Sequence, residues 1–228
     1  MRFEILAAIL VAVGILVWIY RRDRQRFEAE RAILFDDLRG LLTEAELTRA
    51  GLQYPKLRGV YRGHKVVIDA VLDNLAVRKV PSLWLRVTLL ADIPYAGSCD
   101  ILARAHNVEF YAPSNSFDHV LPLPPDWPEH LTIKSDDPDA VPPQTLLDRH
   151  VAVFADERVK ELLVTPRGVR LVRQAAQASR AEYLVLRQSL FGPVVVPKEQ
   201  VADLLDRALA LADNLRAAVP AAPAAGMP

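Results

Sequence analysis

The sequence has little cysteine, no net charge and no recognisable catalytic motif. Its single cysteine, Cys99, excludes an internal disulfide and a metal site built from several thiolates. Beside Asp100 this thiol is interpreted as an inert residue in a turn, because a reactive thiolate needs an electropositive setting. Lys and Arg together number 28, as do Asp and Glu, so overall basicity is no argument for nucleic acid binding. We therefore expect no nucleic acid partner.

Motifs for common enzyme and nucleotide sites are also missing. The chain contains no GxGxxG, GxxxxGK[ST], HExxH or GxSxG sequence, so the phosphate cradles, metal sites and nucleophile turns that these motifs build are not predicted. Gly59 and Gly63 are not followed by a helix start, which a phosphate cradle requires. We infer no catalysis and expect no cofactor.

The strongest positive feature is an uncharged run of sixteen residues, Ile5–Tyr20. As a helix this run would extend roughly 24 Å, a little less than the roughly 30 Å hydrocarbon core of a bilayer. Aromatic rings and snorkelling arginines at its end can cover the remainder at the membrane interface. We therefore predict a transmembrane helix at 5–20 with six interface residues: Trp18, Tyr20, Arg21, Arg22, Arg24 and Arg26.

The position of the basic cluster favours an uncleaved anchor and sets its orientation. A secretory signal peptide has a basic leading end and a small-residue cleavage site. Here the short tail at 1–4 is nearly neutral, no Ala-x-Ala site follows, and the arginines come after the apolar run. Lys and Arg that flank a span favour the cytoplasmic side, where they attract anionic lipid. We predict a single-pass membrane protein with its amino terminus outside and its carboxy-terminal domain in the cytoplasm.

Residues 21–50 are predicted to form a membrane-proximal helical stalk. Apolar residues recur there near the spacing of one helical face, at Phe27, Leu34, Leu38, Leu41 and Ala45. Thr43-Glu44-Ala45-Glu46 matches a capping box and predicts a second helix ending near Gly51. The heptad spacing of positions 27, 34 and 41 raises a homodimer through the stalk, and docking on the protein's own domain is the favoured alternative.

Residues 51–218 are predicted to form one α+β domain with an antiparallel sheet flanked by helices, because strand runs have helices at their ends. The residues at 113–143 hold eight of the seventeen prolines, which predicts a surface loop, and 219–228 reads as a disordered tail. Helices are predicted at Gln144–Leu163 and Pro197–Ala218. The first has Leu147, Val151, Phe154 and Leu162 on one face, and the second has a broad apolar stripe of Val201, Leu204, Leu205, Ala208, Leu211, Ala212 and Leu215. Strands are predicted at Leu57–Leu72 with Arg62-Gly63-His64 as a turn or a bulge, at Ser82–Ala91 as a central strand, and at Val108–Tyr111, Leu131–Lys134, Val164–Arg173 and Ala181–Gln188. Between the last two strands, the QAAQAS segment either prolongs the strand before it or turns helical.

The best arrangement of polar candidates lies at the base of the proline-rich loop. It combines His106, Glu109, Asp118 and His119, whose nitrogen and oxygen atoms suit a borderline metal such as zinc. His106 and Glu109 share a face only on a helix, and this segment is predicted to be a strand. Surface polarity is therefore the favoured interpretation, and no metal is predicted.

Several short motifs resemble a class of uncharacterised bacterial membrane-anchored proteins. They are Gly59-Val-Tyr-Arg-Gly63-His-Lys-Val66, Trp84-Leu-Arg-Val87, Phe117-Asp118, Asp136-Asp137-Pro138 and Leu146-Leu147. In that class a glycine- and tyrosine-containing strand follows an amino-terminal span, and a Phe-Asp pair precedes a later helix. The resemblance implies a bacterial inner-membrane setting and no assigned activity.

These features favour a non-enzymatic membrane protein whose domain binds another membrane or cytoplasmic protein, for example as an accessory subunit. Its partners would then be that protein and the lipid bilayer. One alternative is a ligand-binding or sensory domain in which the proline-rich loop lies over a pocket. A second alternative is a membrane-tethered hydrolase of unfamiliar type using Asp118 and His119.

Overall fold

The amino-terminal apolar run lies on one continuous helix, α1 (Arg2–Ala32), in a computed structural model of the chain. The structure describes residues 2–49, 51, 53–73, 80–104, 112–180, 183 and 191–218. Side chains from Phe3 to Tyr20 are all exposed. By length and composition, α1 is the one helix of the described residues that is long and apolar enough to cross a membrane.

Nine strands and two further helices follow α1 within these described residues. The helices are α2 (Gln144–Leu147) and α3 (Lys198–Ala218), and short 3-10 turns lie at Asp36–Leu38, Pro113–Ser116 and Val151–Ala155. The strands are β1 (Thr43–Thr48), β2 (Lys56–Tyr61), β3 (His64–Asp73), β4 (Ser82–Leu90), β5 (Cys99–Ala103), β6 (His119–Leu121), β7 (Leu131–Ser135), β8 (Val159–Thr165) and β9 (Gly168–Gln177).

The nine described strands form one sheet in the order β1-β2-β3-β4-β9-β8-β5-β7-β6. Every neighbouring pair is antiparallel. β4 lies between β3 and β9, so the prediction of a central strand from Ser82 onward is confirmed. Together with helices at both ends of the chain, this sheet confirms the predicted α+β class.

A two-residue turn joins β2 to β3, which decides between the turn and the bulge considered for this segment. Tyr61 pairs directly with His64, and the two residues between them, Arg62 and Gly63, have φ angles of 47° and 83°. Two successive positive φ angles are typical of the type I′ hairpin turn, whose twist matches that of the flanking strands. Glycine suits the second position because it has no Cβ to clash.

One face of the sheet is covered by α3, whose apolar stripe was predicted residue for residue. The helix packs on β4 and β9, and alternate β4 residues such as Leu85 and Val87 point into the same core with no exposed surface. Each fully buried Leu or Val contributes about 1.5–3 kcal/mol through removal of apolar surface from water. The buried stripe consists of Val201, Leu204, Leu205, Ala208, Leu211, Ala212 and Leu215.

The segment that follows α1 docks on this core, as the favoured alternative to a stalk dimer predicted. Leu34 is completely buried, and its carbonyl accepts a hydrogen bond from the Val196 amide at 2.9 Å. Asp37 Oδ2 accepts the Lys198 backbone N–H at 2.8 Å, so it satisfies one free amide at the start of α3. Leu34 and Leu41, two of the three apolar positions of the predicted dimer seam, therefore pack on the domain's own core.

The short helix predicted from Thr43 is wrong, and α1 ends at Ala32 before the end of the predicted helical stalk. Residues Thr43–Thr48 form β1, an edge strand whose six residues are all exposed. The Thr-x-x-Glu pattern has the residues of a capping box, but the segment pairs with β2 instead. Pairing with a neighbouring strand outweighs the local preference for helix here.

The long helix predicted at Gln144–Leu163 is also wrong. Only α2 and a 3-10 turn occupy its first part, and its last residues begin β8. The strand predicted at Val164–Arg173 is in fact a hairpin, because β8 ends at Thr165 and Gly168, with a φ of 146°, starts β9. β9 continues to Gln177, so the first of the two readings of the QAAQAS segment is confirmed.

Three predicted segments lie wholly or mostly outside the described residues. They are the strand at Val108–Tyr111, the strand at Ala181–Gln188 apart from Tyr183, and the tail at 219–228. The strand predicted at Leu131–Lys134 is confirmed as β7. The proline-rich loop also contains β6, a three-residue strand that was not predicted.

Candidate functional site

The ends of three adjacent strands bring together residues that are distant in sequence. β5 pairs with both β7 and β8 in antiparallel register. The end of β5 therefore lies beside the starts of β7 and β8. Arg104 follows β5, while His130 and Glu157 come just before β7 and β8. All three line one cavity of about 810 Å³, which we call the groove.

The groove has an apolar floor and a polar rim. Trp127, Val151 and Phe154 are buried in its floor and are at most 6% exposed. The exposed rim residues are Asp126, His130, Asp148, Glu157 and the small residues Ala152 and Ala155. A concave, mostly apolar site with a few polar groups at its edge is the usual form of a binding site. The lining residues are Arg104, Asp126, Trp127, Pro128, His130, Asp148, Val151, Ala152, Phe154, Ala155 and Glu157.

Hydrogen bonds hold the wall of the groove in place. The Trp127 indole N–H donates to Asp148 Oδ1 at 2.9 Å, and the Trp127 backbone amide donates to the Pro124 carbonyl at 3.1 Å. A buried tryptophan needs such a partner for its ring N–H. The first bond ties the proline-rich loop to the segment after α2, so two irregular segments form one wall.

Arg104 is held at the end of β5 in a left-handed conformation, with a φ of 49°. That conformation costs about 1–2 kcal/mol for a residue other than glycine. Arg104 Nη2 donates to the Val159 carbonyl at 3.0 Å and to the Glu157 carbonyl. The Lys160 ammonium in turn donates to the Arg104 carbonyl at 2.7 Å. These hydrogen bonds hold Arg104 in this backbone conformation and connect this part of the groove to the start of β8.

Across from the α3-covered face, the sheet carries a row of charged side chains. Arg86 on β4 makes a two-pronged contact with Asp69 on β3, at 2.8 Å from Nε and 2.6 Å from Nη2. Arg170 on β9 contacts Glu161 Oε1 on β8 at 2.6 Å. Parallel N–H donation to a carboxylate is the strongest arrangement open to arginine. Asp69 and Arg86 are direct register partners. Arg170 and Glu161 are diagonal neighbours on the same face, because Arg170 is paired with Leu163, two residues after Glu161.

Asp100 on β5 differs from the other carboxylates of this row. Like Glu161 it is completely buried, but neither of its carboxylate oxygens accepts a hydrogen bond of ordinary geometry from the described residues. Burial, and then the negative charge of Glu161, raise the pKa of Asp100 well above its ordinary value. Ser114 and Arg170 lie close enough to oppose this rise. Asp100 is therefore protonated in the folded protein at pH values where an exposed aspartate would be ionised.

The thiol of Cys99 is inert, but it lies in a strand and not in the predicted turn. Cys99 is the first residue of β5 and is 2% exposed. Burial, with smaller contributions from Asp100 and Asp136, raises the pKa of this thiol to about 12. A thiol of that kind is neither an accessible nor an ionised nucleophile at neutral pH.

The predicted interface residues all lie on α1 and are exposed. The guanidinium of Arg22 lies 5.5 Å from the centre of the Trp18 ring. Arg24 pairs with Glu28 and Arg26 with Glu30, each at 2.9 Å and one helical turn apart. Such exposed pairs contribute only about 0.3–0.5 kcal/mol each. They reduce the net positive charge that this end of the helix presents, which the sequence prediction did not consider.

The four polar candidates of the loop base are only partly described. His106 and Glu109 lie outside the described residues. Asp118 is exposed, and His119 is the exposed first residue of β6 at the edge of the sheet. Among the described residues, no group of three or more His, Cys, Asp or Glu side chains is placed to hold a metal ion.

Sequence reasoning missed the groove. Its lining comes from three separate segments, and no motif connects Arg104, Trp127, Asp148 and Glu157. One signal was present: Trp127 is a large aromatic residue in a segment rich in proline and acidic residues. Such a residue is expected to find a buried place, and its surroundings then define a site.

Comparisons with known proteins assign no family. No family model matches the chain, and no curated protein matches its sequence. Among solved structures, the chain is similar to the crystal structure of the mycobacterial trehalose monomycolate transport factor A, TtfA. The two are 12% identical with a TM-score of 0.41, and the match covers 87% of this chain and 97% of that chain. A likeness this distant carries no argument about function.

Proposed function

We propose that this protein is a single-pass membrane protein whose domain binds a partner protein, as an accessory subunit does, through the groove. The observation that carries the proposal is the groove itself, an open cavity of about 810 Å³ with a buried aromatic floor and an exposed charged rim. Binding surfaces are built in this way, with an apolar centre and a polar edge.

The membrane part of the proposal depends on α1. Among the described residues, no part of the domain covers its exposed apolar side chains. Leaving them in water would be costly, so a bilayer accounts for them. The arginines at 21–26 favour a cytoplasmic domain and an amino terminus outside. Membership of the bacterial membrane-anchored class that the sequence motifs resemble, with its inner-membrane setting, stays part of this proposal.

The orientation is tested with a reporter fusion. Alkaline phosphatase, which is active only outside the cytoplasm, is fused after Ala218, and green fluorescent protein is fused at the same position as a matched control. We expect an inactive phosphatase and a fluorescent control. Strong phosphatase activity from full-length fusion protein would reverse the orientation.

The partner-binding role is tested by crosslinking in native membranes. A photoreactive phenylalanine analogue replaces Ala152 or Ala155 on the groove rim, and Ala210 on the exposed side of α3 provides the matched control. We expect one discrete adduct from each rim position and none from the control. Equal adducts from all three positions, or no adduct from the rim, would contradict the proposal.

A small-molecule ligand is the second candidate, because the volume of the groove lies within the range of small-molecule sites. A metabolite screen by thermal shift, run on the full-length protein and on Trp127→Ala, separates the two roles. A ligand that stabilises only the wild type would favour ligand binding, and a flat screen together with rim-specific adducts would favour a partner protein.

The hydrolase alternative depends on Asp118 and His119, both exposed near the edge of the sheet. Replacing both with alanine would abolish a cellular phenotype without unfolding the domain if they were catalytic. We expect no change, because exposed side chains at a sheet edge lack the enclosed setting that general acid–base catalysis uses.

A further inference from the structure

Carboxylates outnumber cations on the rim of the groove. Asp126, Asp148 and Glu157 line it, and the basic groups among the described lining residues are Arg104 and His130. The three carboxylates are exposed at the rim. Charge of one sign around a concave site with low-dielectric walls attracts ligands of the opposite sign and steers their approach.

Among the described lining residues, Arg104 is the one permanent cation, and the protein's own backbone already engages it. A terminal nitrogen of Arg104 donates to two backbone carbonyls at the start of β8, so this guanidinium is held against the strand. That nitrogen is therefore unavailable to a carboxylate of a ligand, and the three exposed carboxylates of the rim outnumber the single arginine.

Aromatic rings of the groove floor lie beside these carboxylates. Asp148 is fixed against the Trp127 indole by the 2.9 Å hydrogen bond, and Phe154 lies in the floor. A lysine or arginine side chain has an apolar stem and a charged head. Such a side chain would bury its stem against the floor and bring its head to the rim carboxylates, a combination that neither an acidic nor a purely apolar segment offers.

We infer that the groove binds a lysine- or arginine-bearing segment of the partner protein. This inference rests on the proposed partner-binding role and names the chemistry that the groove selects. Opposite charge across the contact speeds association and excludes acidic segments, and it makes the affinity fall as salt rises.

Labelled peptides of one design test this selection on the full-length protein in a neutral detergent. Three peptides share a Leu-Phe centre and carry lysine, glutamine or glutamate at the flanking positions, and fluorescence anisotropy measures their binding. We expect the lysine peptide to bind, its affinity to fall between low and high salt, and the glutamate peptide not to bind. Equal binding of the lysine and glutamine peptides would overturn the inference.

A matched pair of variants locates the effect. Glu157→Gln removes one rim charge without changing shape, and Glu46→Gln removes one exposed charge from β1 at the opposite edge of the sheet. We expect the first to weaken lysine-peptide binding about fivefold to tenfold and the second to leave it unchanged, with equal thermal stability in both. Equal weakening by both variants would show attraction to the protein's overall charge and contradict the inference.

The adduct from the crosslinking experiment separates this inference from the proposed function. Mass spectrometry of the adduct identifies the segment held at Ala152. A segment with lysine or arginine would support both statements. A partner segment without either residue would keep the binding role and refute the inference, whereas the lack of any rim-specific adduct would refute the binding role.

Discussion

The two halves of the sheet are built differently. From β1 to β4 the strands follow one another in space as they do in sequence, and β2 and β3 are joined by only two residues, Arg62 and Gly63. In the other half, β6 connects to β7 through residues 122–130 and β7 connects to β8 through residues 136–158. The described residues that line the groove belong to these two long connections, together with Arg104.

The two halves of the sheet therefore hold different kinds of segment within one domain. In the regular half, Leu42 of the segment that follows α1 lies directly against Gly59 of β2. The irregular half supplies exposed side chains from long connections that the same sheet holds in place. Binding residues commonly lie on loops positioned by a rigid scaffold, and here the scaffold and the loops occupy opposite edges of a single sheet.

The largest expected effect on stability comes from removing the Trp127 ring, which lies in the floor of the groove. Trp127→Ala should destabilise the full-length protein by about 3–5 kcal/mol, because it deletes a buried ring and leaves a cavity. It also removes the donor to Asp148. Trp127→Phe retains a ring and should cost clearly less. The measurement is urea unfolding in detergent. A loss of unfolding free energy below about 1 kcal/mol for the alanine variant would show that the Trp127 ring is not part of the packed structure.

A second prediction contrasts the carboxylates of the two halves. Asp69 in the regular half is held by Arg86, whereas Asp100 in the irregular half is buried with a raised pKa. The folded protein keeps a proton on Asp100 that the unfolded chain releases above about pH 4. Wild-type stability relative to Asp100→Asn should therefore fall by about 1.4 kcal/mol per pH unit between that value and the raised pKa.

Denaturant unfolding of both proteins at several pH values measures this difference. Asp69→Asn is the control, and it should lower stability at neutral pH by about 1–3 kcal/mol, because it leaves the Arg86 guanidinium with a weaker partner. A constant difference in unfolding free energy between the wild type and Asp100→Asn across this pH range would show that Asp100 is ionised in the folded state. The contrast between Asp69 and Asp100 would then be removed.

The smallest expected effect lies in the regular half. Gly63→Ala places a Cβ at a φ of 83°, which L-residues rarely adopt, although no atom of the described residues stands within 4 Å of that Cβ. We expect a loss of about 1 kcal/mol from backbone strain alone. Lys65→Ala, at an exposed position in the same hairpin, should change stability by less than about 0.5 kcal/mol. Equal effects would mean that the turn geometry does not restrain this half.

The regular half and α3 could largely be predicted from the sequence. The α3 stripe repeats at helical spacing, and all seven predicted apolar residues are buried. The strand from Ser82 carries many apolar residues and one charge, and it proved to be central. In these elements the local pattern and the tertiary structure agree, so the periodicity of a single segment was enough.

Two elements could not be predicted because tertiary pairing outweighs local pattern. Thr43 and Glu46 match a helix start, yet both residues pair with β2. Leu147, Val151, Phe154 and Leu162 fit one helical face, but only the first lies in a helix and the last lies on β8. A helical spacing of apolar residues arises here from a short α-helix, a 3-10 segment and a strand, whose apolar side chains all pack in one core.

The groove could not be predicted for a further reason. Its parts are near one another only because β5 lies between β7 and β8, and that strand order requires a crossover which no local signal shows. The closeness of the two buried carboxylates Asp100 and Glu161, whose charges repel, depends on the same strand order. The sequence therefore indicated a helix long and apolar enough to cross a membrane and the class of fold, while the groove followed from topology alone.

Cysteine labelling in native membranes tests the central claim, that a partner covers the groove, most directly. Cys99 is buried with a raised pKa, so it should contribute little background. Ala155→Cys on the rim and Ala210→Cys on the exposed side of α3 are treated with a maleimide before and after purification in detergent. The account predicts that the rim cysteine reacts several times more slowly than the control in membranes and equally fast once purified. Equal rates in membranes would contradict it.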